Sequence, residues 1–360
     1  MTKAAVLHET GQPFSIEDIE LDGPREGEVR VRVTASGLCH TDHSIMMGYM
    51  PFPLPAVLGH EVAGEVIALG EGVTGLKVGD KVATATTAYC GACGECRGGH
   101  THRCDDRPMP PPRPEGSPLT WKGKPLSRIG NLGGFAEELV VPQRHVVKMP
   151  EGIPDTVAAL MGCGVLTGVG SVLNAAQVRP GQTVAVIGCG GVGLNVVQGA
   201  RIAGARRIVA VDLSPEKLEL ARSFGATDTV LGGADSVKQV VDLTNGGVDY
   251  AFEVIGLTST MRDAFLMLRK GGAAVLLGVA KMGEELTVPL MPFLDKEARI
   301  MSSKMGSSSF QTLLPQLAEY YLDGRLKLDE LVSNEISLAE INDGYRAMET
   351  GKIARSVITF

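Results

Sequence analysis

The sequence predicts an α/β chain of two domains, one β-rich and barrel-like and one built on a doubly wound parallel sheet. Its 360 residues are more than one hydrophobic core usually organises, so two domains are expected. In the first part of the chain, short apolar–polar alternations are broken by glycine and proline, which is typical of strands joined by turns. From about residue 183 strands and helices alternate, which favours a parallel sheet with helices on both faces.

The β-rich domain is expected to contain both ends of the chain. Alternation at 29–33 and shorter apolar runs at 56–59 and 61–69 predict its first strands. A helical stretch from Phe310 is followed by a strand-like end at 356–360, which suggests that the tail returns to this domain. We therefore place the first domain at residues 1–164 and 303–360 and the second at 165–302.

The second domain shows a regular order of strands and helices. Its strands are predicted at 183–188, 207–212, 228–231, 249–254, 274–277 and 299–302. Its helices are predicted at 191–203, 215–224, 236–243 and 258–268. Six such strands match a complete dinucleotide-binding fold of the Rossmann type.

Composition and charge exclude several classes of partner. Hydrophobic residues make up 44% and charged residues 21%, and the net charge of −7 argues against nucleic-acid binding. The first ten residues lack a signal-peptide pattern, and the longest smooth apolar run, 273–280, is too short to span a bilayer. We expect a cytoplasmic protein with no nucleic-acid or membrane partner.

Four of the seven cysteines are closely spaced. They lie in the run Cys90-Gly-Ala-Cys93-Gly-Glu-Cys96, followed after seven intervening residues by Cys104. This spacing predicts a tetrahedral zinc site closed by four thiolates, within a lobe at 90–104. Because no coordination position is left open, this zinc is expected to be structural.

Other residues near these cysteines leave alternatives open. Gly91 and Gly94 would let the backbone turn sharply between the thiols. His100 and His102 could replace a thiol, although the set is complete without them. Two disulfides in a secreted protein are the main alternative, which the missing secretion signal disfavours.

A glycine-rich loop joins the first predicted strand of the second domain to its helix. The motif Gly188-Cys-Gly190-Gly-Val-Gly193 permits a tight turn, a close approach of the backbone to a pyrophosphate, and close helix–strand packing. The N–H groups at the start of the helix would bind the phosphates. A glycine turn without a ligand is the alternative, but the strand and helix on either side favour dinucleotide binding.

An acidic residue predicts which dinucleotide is bound. Asp212 ends the next strand, 19 residues after Gly193, where a carboxylate can bind both ribose hydroxyls and would repel a 2′-phosphate. Lys217 is the nearest cation downstream and could also reach the ribose. We therefore expect NAD rather than NADP.

Three further metal-binding residues remain: Cys39, His60 and Cys163. Two thiolates and one imidazole form a known catalytic zinc set with one open coordination position. A lone buried cysteine is more often a packing residue, so this site depends on the presence of the other motifs.

At this point the chain resembles the zinc-dependent medium-chain alcohol dehydrogenases. The resemblance rests on Gly-His-Glu at 59–61, the four-cysteine lobe, Gly-Cys-Gly at 162–164 and the dinucleotide loop. Lys-Gly-Lys-Pro at 122–125 and the run at 351–355 are most similar to the liver-type and glutathione-dependent formaldehyde dehydrogenase branch. The resemblance implies a GroES-like first domain, NAD, two Zn²⁺ ions per chain and a homodimer or homotetramer.

The resemblance also implies roles for individual residues. Cys39, His60 and Cys163 would bind the catalytic zinc, and Cys90, Cys93, Cys96 and Cys104 the structural zinc. The implied catalytic residues are Thr41 as acceptor of the alcohol proton, Asp42 behind His60, Glu61 beneath the metal, and His43 further out. The implied cofactor contacts are His40, Thr167, Gly188, Gly190, Gly191, Val192, Gly193, Asp212, Lys217 and Arg355.

The sequence departs from this family pattern around the substrate. Ser44 stands where the liver-type pattern has the histidine that ends the proton relay, and His43 stands one residue earlier. The loop at 46–54 carries no acidic residue, unlike the loop of the glutathione-adduct enzymes. Thr86 replaces a bulky aromatic residue, so Thr86, Met50 and Met109 are assigned to a widened, apolar substrate pocket.

These features predict an NAD-dependent alcohol dehydrogenase that acts on zinc-bound apolar or aromatic primary alcohols or their aldehydes. The first alternative is a formaldehyde dehydrogenase that acts on a thiol adduct of the glutathione type. A non-enzymatic alternative is a crystallin-like NAD-binding protein, which the complete set of zinc ligands and Thr41 disfavour.

Overall fold

A computed structural model describes residues 1–105, 116–351 and 353–360. The chain forms two compact units, Met1–Cys163 with Ser309–Phe360, and Gly164–Ser308. The predicted fold class, a β-rich domain and a doubly wound parallel sheet, is confirmed. The second junction lies six residues later than the predicted 302/303, because Gly306 packs closely on Leu166 and Gly170 within the second unit.

The first unit is built on two sheets. One has the strand order β8-β7-β2-β1-β4-β9, and the other has the order β11-β6-β5-β3-β19-β18 with β10 also paired to β3. The strands are β1 Thr2–Leu7, β2 Ser15–Leu21, β3 Glu28–Gly37, β4 Ala56–Val57, β5 Glu61–Leu69, β6 Lys81–Thr84, β7 Leu119–Trp121, β8 Lys124–Pro125, β9 Ser127–Arg128, β10 Glu138–Pro142, β11 Val146–Lys148, β18 Val332–Ile336 and β19 Arg355–Thr359. The tail returns to the barrel, because β19 pairs antiparallel with β3.

Five α-helices are described in the first unit. They are α1 His40–Met46, α2 Gly94–Arg97, α3 Asp155–Leu160, α10 Phe310–Leu322 and α11 Ile341–Glu349. The barrel interior is packed with valines such as Val31, Val62 and Val82. A second cluster, which includes Ile45 of α1 and Tyr345 of α11, packs against Phe135 and so fixes these two helices on the barrel.

The second unit is a six-stranded parallel sheet with the order β14-β13-β12-β15-β16-β17. Its strands are β12 Thr183–Ile187, β13 Arg207–Asp212, β14 Asp228–Leu231, β15 Val248–Glu253, β16 Leu268–Leu276 and β17 Arg299–Ser302. Its helices are α4 Leu166–Gly170, α5 Gly191–Ile202, α6 Pro215–Phe224, α7 Ser236–Leu243, α8 Thr258–Leu266 and α9 Leu290–Asp295. The strand order reverses between β12 and β15, which is where dinucleotides bind in such sheets.

Two local predictions were wrong. Leu268 was predicted to end a helix but begins β16, because it pairs with Val248 of β15. In addition, β16 starts six residues before the predicted 274. Helix α9 lies in a stretch that was not predicted to be helical.

The sequence analysis did not identify one long apolar helical stretch. Asp155–Ala176 is long and apolar enough, by length and composition alone, to cross a membrane. However, 78% of its most apolar window is buried inside the protein, as in the core helix of a globular fold. A wide π-helical turn, Met161–Val165, interrupts it, and a second one, Ser171–Ala176, ends it.

Candidate active site and metal centres

The four lobe cysteines come together as predicted. The Sγ atoms of Cys90, Cys93, Cys96 and Cys104 all lie within 4.8 Å of one another, and no cysteine of the chain forms a disulfide. Gly91 adopts a left-handed φ of 78°, which a side chain would oppose. Gly94, where a sharp turn was also expected, begins α2 outside the left-handed region, and a Cβ there would meet nothing within 4 Å.

Backbone N–H groups favour thiolates in this lobe. The Cys90 sulfur accepts hydrogen bonds from the N–H groups of Ala92 at 3.3 Å and Cys93 at 3.2 Å, and these lower its pKa. The N–H groups of Cys96 and Asp105 lower the pKa of Cys93 to about 6. Burial, by contrast, raises the pKa of Cys96 to about 12. Because a metal binds deprotonated thiols, a cluster of four converging sulfurs of which Cys90 and Cys93 favour the thiolate fits Zn²⁺.

The second set joins three distant segments of the first unit. Cys39 immediately precedes α1, His60 immediately precedes β5, and Cys163 lies in the π-helical turn Met161–Val165. One ligand atom from each, together with a carboxylate oxygen of Glu61, lies within 4.8 Å of the others. The hydrogen bond from Cys163, with the charge of His60, lowers the pKa of Cys39 well below its usual value.

A buried carboxylate orients the imidazole of this set. Asp42 Oδ2 lies 3.0 Å from His60 Nδ1, while its Oδ1 accepts a hydrogen bond from the Gly59 N–H at 3.0 Å. Both side chains are almost completely buried. Burial opposes a charged imidazole, but the charges of Asp42 and Cys39 raise the pKa of His60 well above its usual value. With Nδ1 held by Asp42, Nε2 is the nitrogen available to a metal, so these residues fit a zinc site.

Glu61 and Arg355 form a buried ion pair beside the same set. Glu61 Oε1 lies 3.0 Å from Arg355 Nη2, and Arg355 Nη1 donates a hydrogen bond to the Leu38 carbonyl at 3.0 Å. Burial raises the pKa of Glu61 to about 7, against the opposing charge of Arg355. The implied pyrophosphate contact of Arg355 stays a prediction.

The two residues assigned to proton transfer have different surroundings. Thr41 Oγ1 lies 3.7 Å from the Cys39 sulfur, so its hydroxyl is next to the metal set. His43 Nε2 lies 2.8 Å from Glu349 Oε1, and its ring stacks on Tyr345 with centroids 5.8 Å apart. Glu349 is half exposed, so His43 lies beside a group in contact with water. The neighbouring His40, assigned to the cofactor, is exposed.

The residues assigned to the substrate pocket have packing contacts of their own. Thr86 is half-buried and lies against Gly130, where an added Cβ would come within 2.6 Å of the Thr86 methyl group. Met50 packs, with Met46 and Phe52, against the apolar cluster of the first unit. Met109 lies outside the described residues.

The dinucleotide loop has the expected local geometry within the second unit. Gly188 has a φ of 99°, and a Cβ on Gly193 would come within 1.8 Å of the Gly188 carbonyl oxygen. Asp212 holds the loop, since its Oδ2 accepts the Cys189 N–H at 2.7 Å. Nothing would lie within 4 Å of a Cβ on Gly190, which leaves room for a phosphate beside the start of α5. Three other assigned residues, Thr167, Val192 and Lys217, are half-buried.

Sequence reasoning missed an apolar fringe on this sheet. Exposed aliphatic side chains lie at or just after the carboxyl ends of four strands, namely Leu213, Leu231, Ile255, Leu257 and Val279. Glu253, at the end of β15, accepts hydrogen bonds from the N–H groups of Ile255 at 2.9 Å and Gly256 at 2.8 Å. The available signal was an apolar residue just after the predicted strands at 207–212 and 249–254. Such a fringe suits the flat rings of a dinucleotide.

Two families match the chain by sequence. The family described as "Alcohol dehydrogenase GroES-like domain" matches residues 25–151, and the family described as "Zinc-binding dehydrogenase" matches residues 191–319. The "Alcohol dehydrogenase class-3" of Drosophila melanogaster is 40% identical, over 99% of this chain and 97% of that protein. The "S-(hydroxymethyl)glutathione dehydrogenase" of Escherichia coli is also 40% identical, over 100% of both chains.

Solved structures with the same fold cover the full chain. A protein described as an alcohol dehydrogenase zinc-binding domain protein, from Burkholderia ambifaria, has a TM-score of 0.94 and 36% identity over 100% of this chain and 98% of its own. The benzyl alcohol dehydrogenase of Acinetobacter calcoaceticus has a TM-score of 0.94 and 30% identity over 100% of this chain and 99% of its own.

Proposed function

We propose that the substrate of this chain, which belongs to the zinc-binding alcohol dehydrogenase family, is the primary alcohol formed when a thiol adds to formaldehyde. Membership of the family makes the chain an NAD-dependent oxidoreductase with one catalytic and one structural zinc site. Because the chain is an enzyme of this family, the crystallin-like alternative no longer applies. The substrate within this activity is the part that we propose.

The convergence of Cys39, His60 and Cys163, with Asp42 behind the imidazole, supports the alcohol chemistry on which this proposal rests. A bound zinc supplies a Lewis acid that favours the deprotonated form of a hydroxyl group. Asp42 fixes the tautomer and orientation of His60. The Thr41 hydroxyl, next to Cys39, can both accept and donate a proton, so it can take the proton of an alcohol held at this set.

The relatives support the thiol adduct. The class-3 and S-(hydroxymethyl)glutathione dehydrogenases match along essentially the whole chain. The structure also weakens the argument for an apolar pocket, because Met46, Met50 and Phe52 contact the apolar cluster of their own unit. The methionine-rich loop is thus explained by packing, without a substrate.

A bulky apolar or benzylic alcohol is the second candidate. Three observations favour it, namely Thr86 where the family pattern has a larger ring, the loop at 46–54 without an acidic residue, and the likeness to a benzyl alcohol dehydrogenase. Each buried methylene adds about 0.8 kcal/mol. Four additional carbons would then favour hexanol over ethanol by roughly 10²-fold in kcat/KM.

Steady-state kinetics distinguish the two candidates. We would measure kcat/KM with NAD for formaldehyde plus glutathione, formaldehyde alone, benzyl alcohol, hexanol and ethanol. We expect the glutathione adduct to give the highest value and formaldehyde alone to give none. A higher kcat/KM for benzyl alcohol or hexanol would overturn the adduct in favour of the second candidate. Thr86→Phe is the matched variant, since it should lower only the activity on bulky alcohols.

We also propose that two copies of the chain associate through the second unit. Strand β17 is an edge strand, and the preceding segment exposes Leu290, Met291 and Leu294. An unpaired edge beside exposed aliphatic residues favours pairing with an identical edge. Light scattering should give a dimer or tetramer, and Met291→Lys should weaken it. A monomer at micromolar concentration would contradict this arrangement.

A further inference from the structure

We propose that Arg144 is a positioning residue of the structural zinc lobe. Its guanidinium holds the backbone of the first thiolate ligand and supplies the lobe with a positive charge from the barrel. This inference concerns metal retention and does not depend on the substrate.

Arg144 projects from a turn that is fixed to the strand leading into the lobe. It lies in the short 3-10 turn Gln143–His145, between β10 and β11. The Ala85 N–H donates to the His145 carbonyl at 3.0 Å, and His145 Nδ1 lies 2.8 Å from the Ala85 carbonyl oxygen. Because His145 is buried, the base of the Arg144 side chain is held in place.

The guanidinium contacts the backbone at the entry to the lobe. Arg144 Nη1 donates to the carbonyl oxygen of Tyr89 at 2.8 Å and also to that of Cys90. The guanidinium carbon lies 5.7 Å from the centre of the Tyr89 ring, within range of a cation–π contact. A Cβ on Gly91 would lie 3.5 Å from Arg144 Nη1. The cation therefore lies along residues 89–91.

This backbone segment also determines where two of the sulfurs lie. The Cys90 N–H donates to the Cys104 sulfur at 3.2 Å, and the Cys90 sulfur accepts the N–H of Cys93 at 3.2 Å. Of residues 90–104 only His102 and Cys104 are buried, so little apolar packing holds the lobe. Because Arg144 holds the Cys90 carbonyl, it also holds in place a ligand that contacts both Cys93 and Cys104.

Charge adds a second reason. Four thiolates around one Zn²⁺ leave two excess negative charges. Within the described parts of the chain, Arg144 has no carboxylate partner at ion-pair distance, so its charge is not offset elsewhere. Arg103, by contrast, pairs with Glu95 at 2.7 Å on the surface of the lobe. Arg144 thus resembles the outer partners that orient and stabilise metal ligands at other sites.

The test measures how well the zinc-loaded protein protects its lobe cysteines. We would treat it with EDTA and N-ethylmaleimide and follow alkylation of each cysteine by peptide mass spectrometry. Arg144→Met should speed alkylation of the Cys90–Cys104 peptide roughly 10-fold or more, the usual scale for losing an outer partner of a metal ligand. Arg144→Lys keeps the charge and should give an intermediate rate. The Cys163 peptide is the internal reference.

Arg103→Met is the matched control, because it removes a cation of the same lobe that is already paired with Glu95. It should leave the alkylation rate unchanged. Equal rates for Arg144→Met, Arg103→Met and the unmodified protein would overturn the proposal. A lower melting temperature of Arg144→Met without faster lobe alkylation would also overturn it, since that is a purely structural effect. If Arg144→Met is insoluble, the same comparison is made with Arg144→Lys.

Discussion

The two metal centres of the first unit are built in opposite ways. The structural lobe takes four sulfurs from residues 90–104, and three of them are only half-buried. Its thiols are held by nearby backbone N–H groups. The other centre takes its ligands from positions 39, 60 and 163, and buried side chains support it, namely Asp42, Glu61 and Arg355.

This difference indicates that the lobe stabilises the fold and that the buried centre binds and converts the substrate. A closed set of four thiolates on a short segment depends on the metal for its shape, so metal binding there is folding free energy. The buried set is supported by the barrel and by charged partners, so its geometry depends much less on the metal. Only this second set, with two thiols and one imidazole as ligands and Glu61 paired to Arg355, would leave a bound zinc a coordination position for a substrate.

The largest expected effect is that of Cys93→Ser. Loss of one lobe thiolate should remove the structural zinc and leave the lobe without its main support, so soluble protein should fall sharply. Soluble yield and zinc content per chain measure this. Cys189→Ser is the control, because Cys189 is buried outside both metal sets. A soluble Cys93→Ser protein with two zinc ions would contradict the distinction.

Cys163→Ser should abolish activity while the protein stays folded. This change removes one thiolate from a site that Asp42 and Arg355 still support, so the melting temperature should change little. Zinc content should fall from two ions per chain to one, with the lobe still occupied. Activity comparable to that of the unmodified protein would show that Cys163 does not hold the catalytic zinc.

The sequence predicts features that are local in the chain better than features that the tertiary fold creates, and the two metal centres show this difference. The lobe was predicted from spacing alone, because its geometry is local to 15 residues, from Cys90 to Cys104. The bounds of α6 and α7 were also predicted correctly, because amphipathic patterns and caps are local. By contrast, Cys39, His60 and Cys163 could be grouped only with the help of the other motifs and of the family resemblance, since their proximity is created by the tertiary fold.

Features set by packing could not be predicted from the sequence. The helical stretch Asp155–Ala176 was missed because it is largely buried and shows no clear amphipathic period. Met50 was assigned to the substrate but packs on the apolar cluster, since a methionine fits either environment equally well. The contact of Arg144 with the lobe links residues more than 50 positions apart, and no sequence pattern marked it.

Thr41→Ala tests how the buried centre handles a proton. Thr41 is next to Cys39 whereas His43 pairs with Glu349, so the threonine hydroxyl should be the immediate acceptor. Its removal should lower kcat roughly 10²-fold or more. His43→Ala should cost less, because water can carry the proton outward in its place. The reverse order of effects would place the start of proton transfer at His43.

The smallest expected effect is that of Asp42→Asn, and it sharpens the comparison most directly. The asparagine oxygen can still accept the Gly59 N–H, but its amide group would face His60 Nδ1 and cannot accept a proton from it. Zinc affinity at the buried centre should therefore fall about 10- to 100-fold, while the lobe, held by its own backbone, keeps its zinc. Chelator competition combined with cysteine alkylation reads the two sites separately. The control is Asp80→Asn, which changes a buried carboxylate paired with Lys148 at 2.7 Å and belonging to neither metal set. If both sites lost zinc equally in Asp42→Asn, the two centres would be coupled through the barrel, and the division between a local and a tertiary site would be wrong.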